Sequence, residues 1–226
     1  MDLAFIIDSS GSIARRDYVK VKNFVKYVAR GFGISPSESR AGIVLYSTDA
    51  SIKAQFDQYT SNEDFFKAVD GLPHRRQFTY IDRALRLAAS QLFPSARKDV
   101  PKIALLMTDG KQTDRRGVVN LREASAPLRK QGVRVLAFGV GENVNVRELR
   151  LTVERDEDVI SVSNFDDLIN KVRTYTANLC AAAGKEILTS LRTVPTIVMA
   201  DTFCASPVTQ ISYRQCLLIQ GYFCAV

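Results

Sequence analysis

Three short stretches of this 226-residue chain place oxygen-bearing side chains where a ligand would meet them. "AFIIDSSGSI" (4–13) is an apolar run that ends in Asp8, Ser10 and Ser12 around Gly11. "KIALLMTDG" (102–110) is a second apolar run and ends in Asp109. "RRQFTYIDRAL" (75–85) brings Thr79 to the start of a helical pattern. Asp8, Ser10, Ser12, Thr79 and Asp109 together offer two carboxylates and three hydroxyls, without thiol or imidazole. Hard divalent cations take such donors. Mg²⁺, with one or two carboxylates and several retained waters, fits the set, and Mn²⁺ fits nearly as well. Helix N-termini nearby carry positive partial charge and oppose a cation, which both aspartates must offset. The aspartates also leave a dication formally neutral, so a carboxylate from a partner completes the shell without strong repulsion.

Plainer readings exist for each piece. Asp8, Ser10 and Ser12 alone describe a strand-to-helix turn closed by local hydrogen bonds. Thr79 alone is a helix N-cap. Gly139 and Gly141 in "FGVGENV" form an incomplete phosphate-loop pattern after a late strand, and a bend is expected there. The single His74, in "PHRRQ", is expected in an exposed loop. Asp114, Arg115 and Arg116 read as a solvated loop downstream of Asp109. An enzyme using the same crevice needs a nucleophile or base beside the metal. Asp8 is the one candidate nucleophile, but Ser10 stands where aspartyl-phosphate enzymes carry a second Asp. The lone histidine excludes a Ser-His-Asp or Cys-His set. Binding rather than catalysis is the expectation.

Elements must hold these tips in place. Residues 2–8 read as a buried strand by their continuous apolar core. Residues 15–32 set Val21, Phe24, Val25, Val28 and Phe32 at helical spacing. Residues 39–47 and 50–56 read as a hairpin around "STD", which makes one edge strand antiparallel. Helices follow over 60–72, capped by Ser61, and over 79–93, stopped at Pro94. A strand over 102–110, a helix over 118–132 containing Pro127, a strand over 133–141, a short helix over 146–153, a strand over 158–162 and a helix over 164–180 complete the pattern. Strands alternating with helices predict an α/β, doubly wound, mostly parallel, Rossmann-like sheet with one antiparallel edge strand. In such sheets ligands bind beyond the carboxyl ends of the strands, where strand order reverses.

The motifs resemble the von Willebrand factor type A domain family, which includes integrin inserted domains. Its metal-ion-dependent adhesion site (MIDAS) uses Asp-x-Ser-x-Ser after the first strand, a Thr in a middle loop and an Asp ending a later strand. "DSSGS" (8–12) matches in full. "TYIDRAL" resembles the family's Thr-x-Thr-Gly-x-Ala-Leu helix start, with Ile81 and Asp82 replacing the second Thr and the Gly. Asp82 is expected to add a charge near the site. "LLMTDGKQTD" resembles the later strand, with Asp109 as its acid. The resemblance covers residues 2 to 180 and implies cation-dependent adhesion, in which Ser10, Ser12 and Thr79 ligate through hydroxyls and Asp8 and Asp109 bind directly or through water. Arg75, Arg76, Tyr80, Lys111 and Arg115 are the expected ligand-binding rim. Implied partners are extracellular matrix or cell-surface proteins, collagens among them. Alternatives are an intracellular type A scaffold in a larger complex and a metal-independent matrix structural protein. In the family, ligand engagement can couple to the last helix, here about 164 to 178.

Composition is consistent with a folded soluble module: 46% hydrophobic, 24% charged. No apolar stretch approaches the ~20 residues of a membrane span. A net charge of +7 favours acidic partners, acidic glycans included. The basic residues are scattered and not interleaved with aromatics, so nucleic acid is not expected. Cys180, Cys204, Cys216 and Cys224 all fall late in the chain. They allow two disulfides in three pairings, and without a CxxC pair they do not resemble a zinc site. A thiol-free body over 1–180 followed by a cysteine-containing tail over 181–226 reads as a secreted, extracellular module joined to a disulfide-bonded segment. The start directly on a strand and the end inside "CLLIQGYFCAV" read as a fragment lacking its signal peptide.

Overall fold

A computed structural model of the protein describes residues 1–168. The cysteines, the 181–226 tail and all but the first turn of the last expected helix lie outside the described residues. The elements are β1 (Asp2–Asp8), α1 (Arg15–Phe32), β2 (Arg40–Tyr46), β3 (Ala50–Ala54), α2 (Asn62–Asp70), α3 (Ile81–Leu87), β4 (Lys102–Thr108), α4 (Leu121–Lys130), β5 (Val133–Val140), α5 (Val146–Thr152) and β6 (Val159–Val162). The six strands form one sheet in the order β3-β2-β1-β4-β5-β6. Every pairing is parallel except β2 with β3 at the edge, as the 39–56 hairpin pattern predicts.

Strand β1 is buried along its whole length because it is central and covered on both faces. Its side chains alternate. Phe5 meets Phe65 of α2, with ring centroids 5.8 Å apart. Ala4 and Ile6 join a cluster with Ile81 and Leu85 of α3 and Leu128 of α4. Helix α1 buries Val21, Phe24, Val25, Val28 and Phe32, the stripe its spacing predicts, and Phe24 packs 5.4 Å from Phe138 of β5. Gly33 ends it with φ 67, a left-handed conformation that glycine adopts without a Cβ clash.

The helix expected over 79–93 is shorter and changes form. It is α-helical over Ile81–Leu87, turns π-helical over Ala88–Leu92 and ends in a 3-10 turn, Phe93–Ser95. Proline is the cause. Pro94 has no N–H to offer the Ala89 carbonyl five residues back, and the Phe93 N–H goes to Ala88. The Gln131 side chain fills that acceptor with a 2.9 Å bond. Pro127 lies inside α4, as the sequence places it.

Register sets the two ends of the sheet. Asp2 pairs with Arg40 and Lys102 at one end, while Asp8 pairs with Tyr46 at the other. The first end is locked by charge. Asp2 is fully buried and accepts bonds from Arg40 at 3.0 and 2.7 Å and from the Arg97 side chain and backbone at 3.0 and 2.6 Å. Burial pushes the Asp2 carboxyl up, but these bonds outweigh it and hold it below the usual range. The second end, where β1 and β4 leave the sheet and strand order reverses, carries the oxygen-rich tips.

Candidate functional site

Asp8 closes β1 with its side chain buried. Its Oδ1 accepts the Ser10 N–H at 2.8 Å, and its Oδ2 accepts the Thr108 hydroxyl at 2.7 Å. The next residues leave the strand because the neighbouring loop captures them. Ser9 donates to the Pro73 carbonyl at 2.9 Å and accepts the Arg75 N–H at 2.7 Å. Gly11 donates to Gln77 O at 2.8 Å. A Cβ on Gly11 would lie 3.1 Å from the Arg76 carbonyl, which is why the loops meet at a glycine. The motif thus divides its labour: Ser9 latches the loop, and the buried Ser10 turns its hydroxyl to that of the exposed Ser12.

The hydroxyls run as a chain into the second carboxylate. Ser10 Oγ and Ser12 Oγ are 2.9 Å apart, and Ser12 donates to Asp109 Oδ1 at 2.6 Å. Asp109 follows β4, so this bond ties the tips of two adjacent strands. Burial raises the Asp109 pKa to about 6; the charge of Asp8 adds to the rise and the Ser12 bond opposes it. Burial likewise raises Asp8. Neither carboxylate is in an ion pair among the described residues. Two desolvated, mutually repelling carboxylates without a cation are unfavourable unless something positive joins them.

Thr79 arrives from the third loop and is nearly buried. A Cβ on Gly110 would lie 3.5 Å from Ser12 Oγ and 3.8 Å from Thr79 Oγ1, so both hydroxyls face the spot beside Asp109. Thr79 is not an N-cap; Tyr80 holds that position without a side-chain bond. Instead Thr79 is pinned to the Asp109 loop, donating its N–H to Thr113 Oγ1 at 3.1 Å and accepting the Thr113 N–H at 2.8 Å. The structure therefore brings Asp8, Ser10, Ser12, Thr79 and Asp109 to one end of the sheet. Among the described residues no three His, Cys, Asp or Glu side chains converge, so a mixed set of two carboxylates and three hydroxyls is the donor set available. That set, all oxygen and charged −2, fits a hard dication.

Asp82 departs from its expected place. Its carboxylate is buried, accepting Gln112 Nε2 at 2.6 Å and the Val119 N–H at 3.1 Å, and its charge is directed into this network. Gln112 is the hub. Its Oε1 accepts Ile81 N at 2.6 Å and Asp82 N at 3.3 Å, and its own N–H donates to Glu148 Oε2 at 2.8 Å. One residue three positions beyond Asp109 thereby joins the Asp109 loop to the start of α3 through its side chain and to the start of α5 through its backbone N–H. Its type and spacing gave no signal of this in the sequence.

The rim is partly as expected. Arg76, Lys111 and Arg115 are exposed. Arg75 is half-buried and bonds Asp49 O at 3.0 Å and Ser51 Oγ at 2.7 Å. Tyr80 is a correction. It is 5% exposed, stacked under Arg83 at 4.3 Å, because the residue that opens α3 turns its ring toward the protein. Phe78, an ordinary apolar residue by sequence, is 45% exposed beside Thr79. His74 is half-buried, not a free loop residue. Its ring stacks on Tyr18 at 4.4 Å and its Nε2 is 3.1 Å from the Ser10 carbonyl. The bend expected at Gly139 and Gly141 falls at Gly141 alone, with φ 98; Gly139 lies inside β5, where Val144 and Leu149 pack with methyl carbons 2.5 and 2.8 Å from where its Cβ would be.

Known proteins share this architecture. The von Willebrand factor type A domain family matches residues 2–174. The human collagen alpha-5(VI) chain is 31% identical over 189 residues, covering 82% of this chain and 7% of that protein. Human matrilin-4 is 28% identical over 188 residues, covering 80% of this chain and 29% of that protein, and mouse matrilin-2 is 27% identical over 186 residues, covering 79% and 19%. The chain thus spans well under a third of these relatives. Among solved structures, proximal thread matrix protein 1 from the mussel byssus aligns with TM-score 0.69 and 29% identity over 75% of this chain and 43% of that one. A structure of the byssal protein with a zinc-occupied MIDAS motif aligns at TM-score 0.69 and 24% identity, over 76% and 46%, a likeness of fold. With a family match over most of its length, on a sheet of the order described above, the chain belongs to the von Willebrand factor type A domain family.

Proposed function

We propose that this chain is an extracellular adhesion module that binds matrix proteins through a divalent cation held at Asp8, Ser10, Ser12, Thr79 and Asp109. The observation that carries the reading is the pair of desolvated carboxylates, neither in an ion pair among the described residues, linked through Ser10 and Ser12 at the point where strand order reverses. Ser10, Ser12 and Thr79 present hydroxyl oxygens; Asp8 and Asp109 supply the negative charge. Mg²⁺ or Mn²⁺ suits this all-oxygen set better than zinc, which belongs to the byssal neighbour. When bound, the cation offers an open position to a carboxylate from a partner protein. The rest is the protein's own work. Thr108 and the Ser10 N–H orient Asp8, Thr113 fixes Thr79, and Gln112 fixes the loop that follows Asp109.

Several features support binding over catalysis and a matrix setting. His74, the single histidine, is engaged by Tyr18 and the Ser10 carbonyl, so its imidazole is not aimed at Asp8 or a serine hydroxyl. The relatives are collagen VI chains and matrilins, and the structural neighbour is a thread matrix protein. No described helix is long and apolar enough to cross a membrane. Surface-plasmon-resonance binding to immobilised collagens, in Mg²⁺ and in EDTA, tests the reading. Capture that needs Mg²⁺ and disappears in Asp109→Ala supports it; equal capture in EDTA contradicts it.

A further inference from the structure

Among the described residues, two large apolar side chains are exposed, Val19 on α1 and Phe78. Phe78 borders the site, one residue before Thr79. Its backbone is fixed on both sides: the N–H donates to Thr48 Oγ1 at 3.3 Å, and the carbonyl accepts Ser47 Oγ at 3.0 Å. The preceding Gln77 N–H donates to the same Ser47 hydroxyl at 3.1 Å. The ring therefore projects from a rigid loop. Arg115 of the Asp109 loop lies over it, with the guanidinium carbon 3.9 Å from the ring centroid. Stacking holds a guanidinium flat and directs its in-plane N–H donors sideways, the geometry that receives a carboxylate. Arg76 stands two residues before Phe78 with φ 58, the one described non-glycine residue in the left-handed region. Such a conformation is unfavourable for an arginine and persists because the Ser9 and Gly11 contacts hold it. The two loops, 73–79 and 110–117, carry Arg75, Arg76, Lys111, Arg115 and Arg116 against one acid, Asp114.

We propose that Phe78, Arg115 and Arg76 form a specificity wall that selects acidic protein segments, in which the carboxylate bound at the metal is accompanied within a few residues by an apolar side chain and a second acidic residue. The inference rests on the metal-dependent reading above. The apolar side chain covers the open face of Phe78, and the second carboxylate meets the stacked Arg115 or Arg76. The rigid aromatic favours a protein segment over a sulfated glycan, which satisfies arginines but has no apolar side chain for the ring.

The test pans a phage library of random dodecapeptides on the whole chain in Mg²⁺, eluting with EDTA, alongside Mg²⁺ calorimetry on wild type, Phe78→Ala and Arg115→Gln. The wall predicts enriched peptides with an acid, a nearby apolar residue and a second acid. It predicts unchanged Mg²⁺ affinity in both variants and retention of the enriched peptides lowered about tenfold. Enriched peptides with a lone acid, no EDTA-eluted peptides despite Mg²⁺ binding, or retention indifferent to Phe78→Ala overturns the wall and leaves the metal site standing. Absence of Mg²⁺ binding in wild type overturns both. Heparin capture that survives EDTA and is lost in Arg115→Gln identifies the patch as a glycan site and overturns the proposal.

Discussion

Ser12 and Asp109, 97 residues apart in sequence, meet in a 2.6 Å hydrogen bond that joins the tips of β1 and β4. The bond holds a carboxylate in a partly desolvated place, facing the charge of Asp8. Asp109→Asn keeps the shape and removes that repulsion. The account expects the metal-free variant to melt at a higher temperature than wild type, and its Mg²⁺-induced rise in melting temperature to vanish. Differential scanning calorimetry with and without Mg²⁺ reads both. An Asp109→Asn variant that still gains stability from Mg²⁺ removes Asp109 from the ligand set.

The two ends of the sheet respond to pH in opposite directions. Asp109 in the fold titrates at about 6, above its ordinary 3.8. Its contribution to metal-free stability is therefore fully present below pH 3.8 and is lost as pH rises through 6. Asp2 has a depressed pKa, so its contribution is present above 3.8 and lost as pH falls further. Metal binding needs the Asp109 carboxylate free of its proton, and Mg²⁺ affinity should weaken as pH drops below about 6. Urea titrations from pH 3 to 8 with EDTA, repeated with Mg²⁺, measure this. Identical curves with and without metal at pH 7.5 would argue against it.

Asp2 provides a control far from the site. Asp2→Ala leaves Arg40 and Arg97 without their buried partner, and such losses are about 3–5 kcal/mol. The expected variant is markedly less stable in urea yet binds Mg²⁺ with wild-type affinity while folded. Loss of metal affinity at a temperature where it remains folded would mean the two ends are coupled.

Gln112 separates positioning from charge. Gln112→Ala deprives the Ile81 and Asp82 N–H groups of their acceptor and Asp82 of a donor, a loss of about 2 kcal/mol. Gln112→Glu sets a carboxylate against the buried Asp82 and should be worse. Amide hydrogen exchange at Ile81 and Asp82 should accelerate in both. Protection equal to wild type would show that the hub does not hold α3.

Much of this arrangement was legible because it rests on local pattern. The apolar runs ending at Asp8 and Asp109 became parallel neighbours, the alternation of strands and helices predicted the parallel sheet, and the turn signal "STD" predicted its antiparallel edge. What escaped depends on partners distant in sequence. A charged residue in the first turn of a helix is ordinarily solvated, and Asp82 is buried because Gln112, thirty residues later, reaches it. Tyr80 looked like rim because it follows Thr79, but its ring is covered by Arg83. Phe78 read as an ordinary apolar residue; its exposure follows from Ser47 and Thr48 gripping the backbone on either side. The π-turn at Ala88–Leu92 leaves the Ala89 carbonyl to Gln131, which caps the end of α4 more than forty residues later.

The most direct measurement is isothermal titration of Mg²⁺ and Mn²⁺ into wild type and Asp109→Ala at neutral pH. The account predicts one saturable site in wild type and none in the variant, with ligand capture following metal occupancy. A wild-type chain that binds neither ion, even with a collagen ligand present, would contradict the metal site and leave the oxygen-rich tips of β1 and β4 as structure alone.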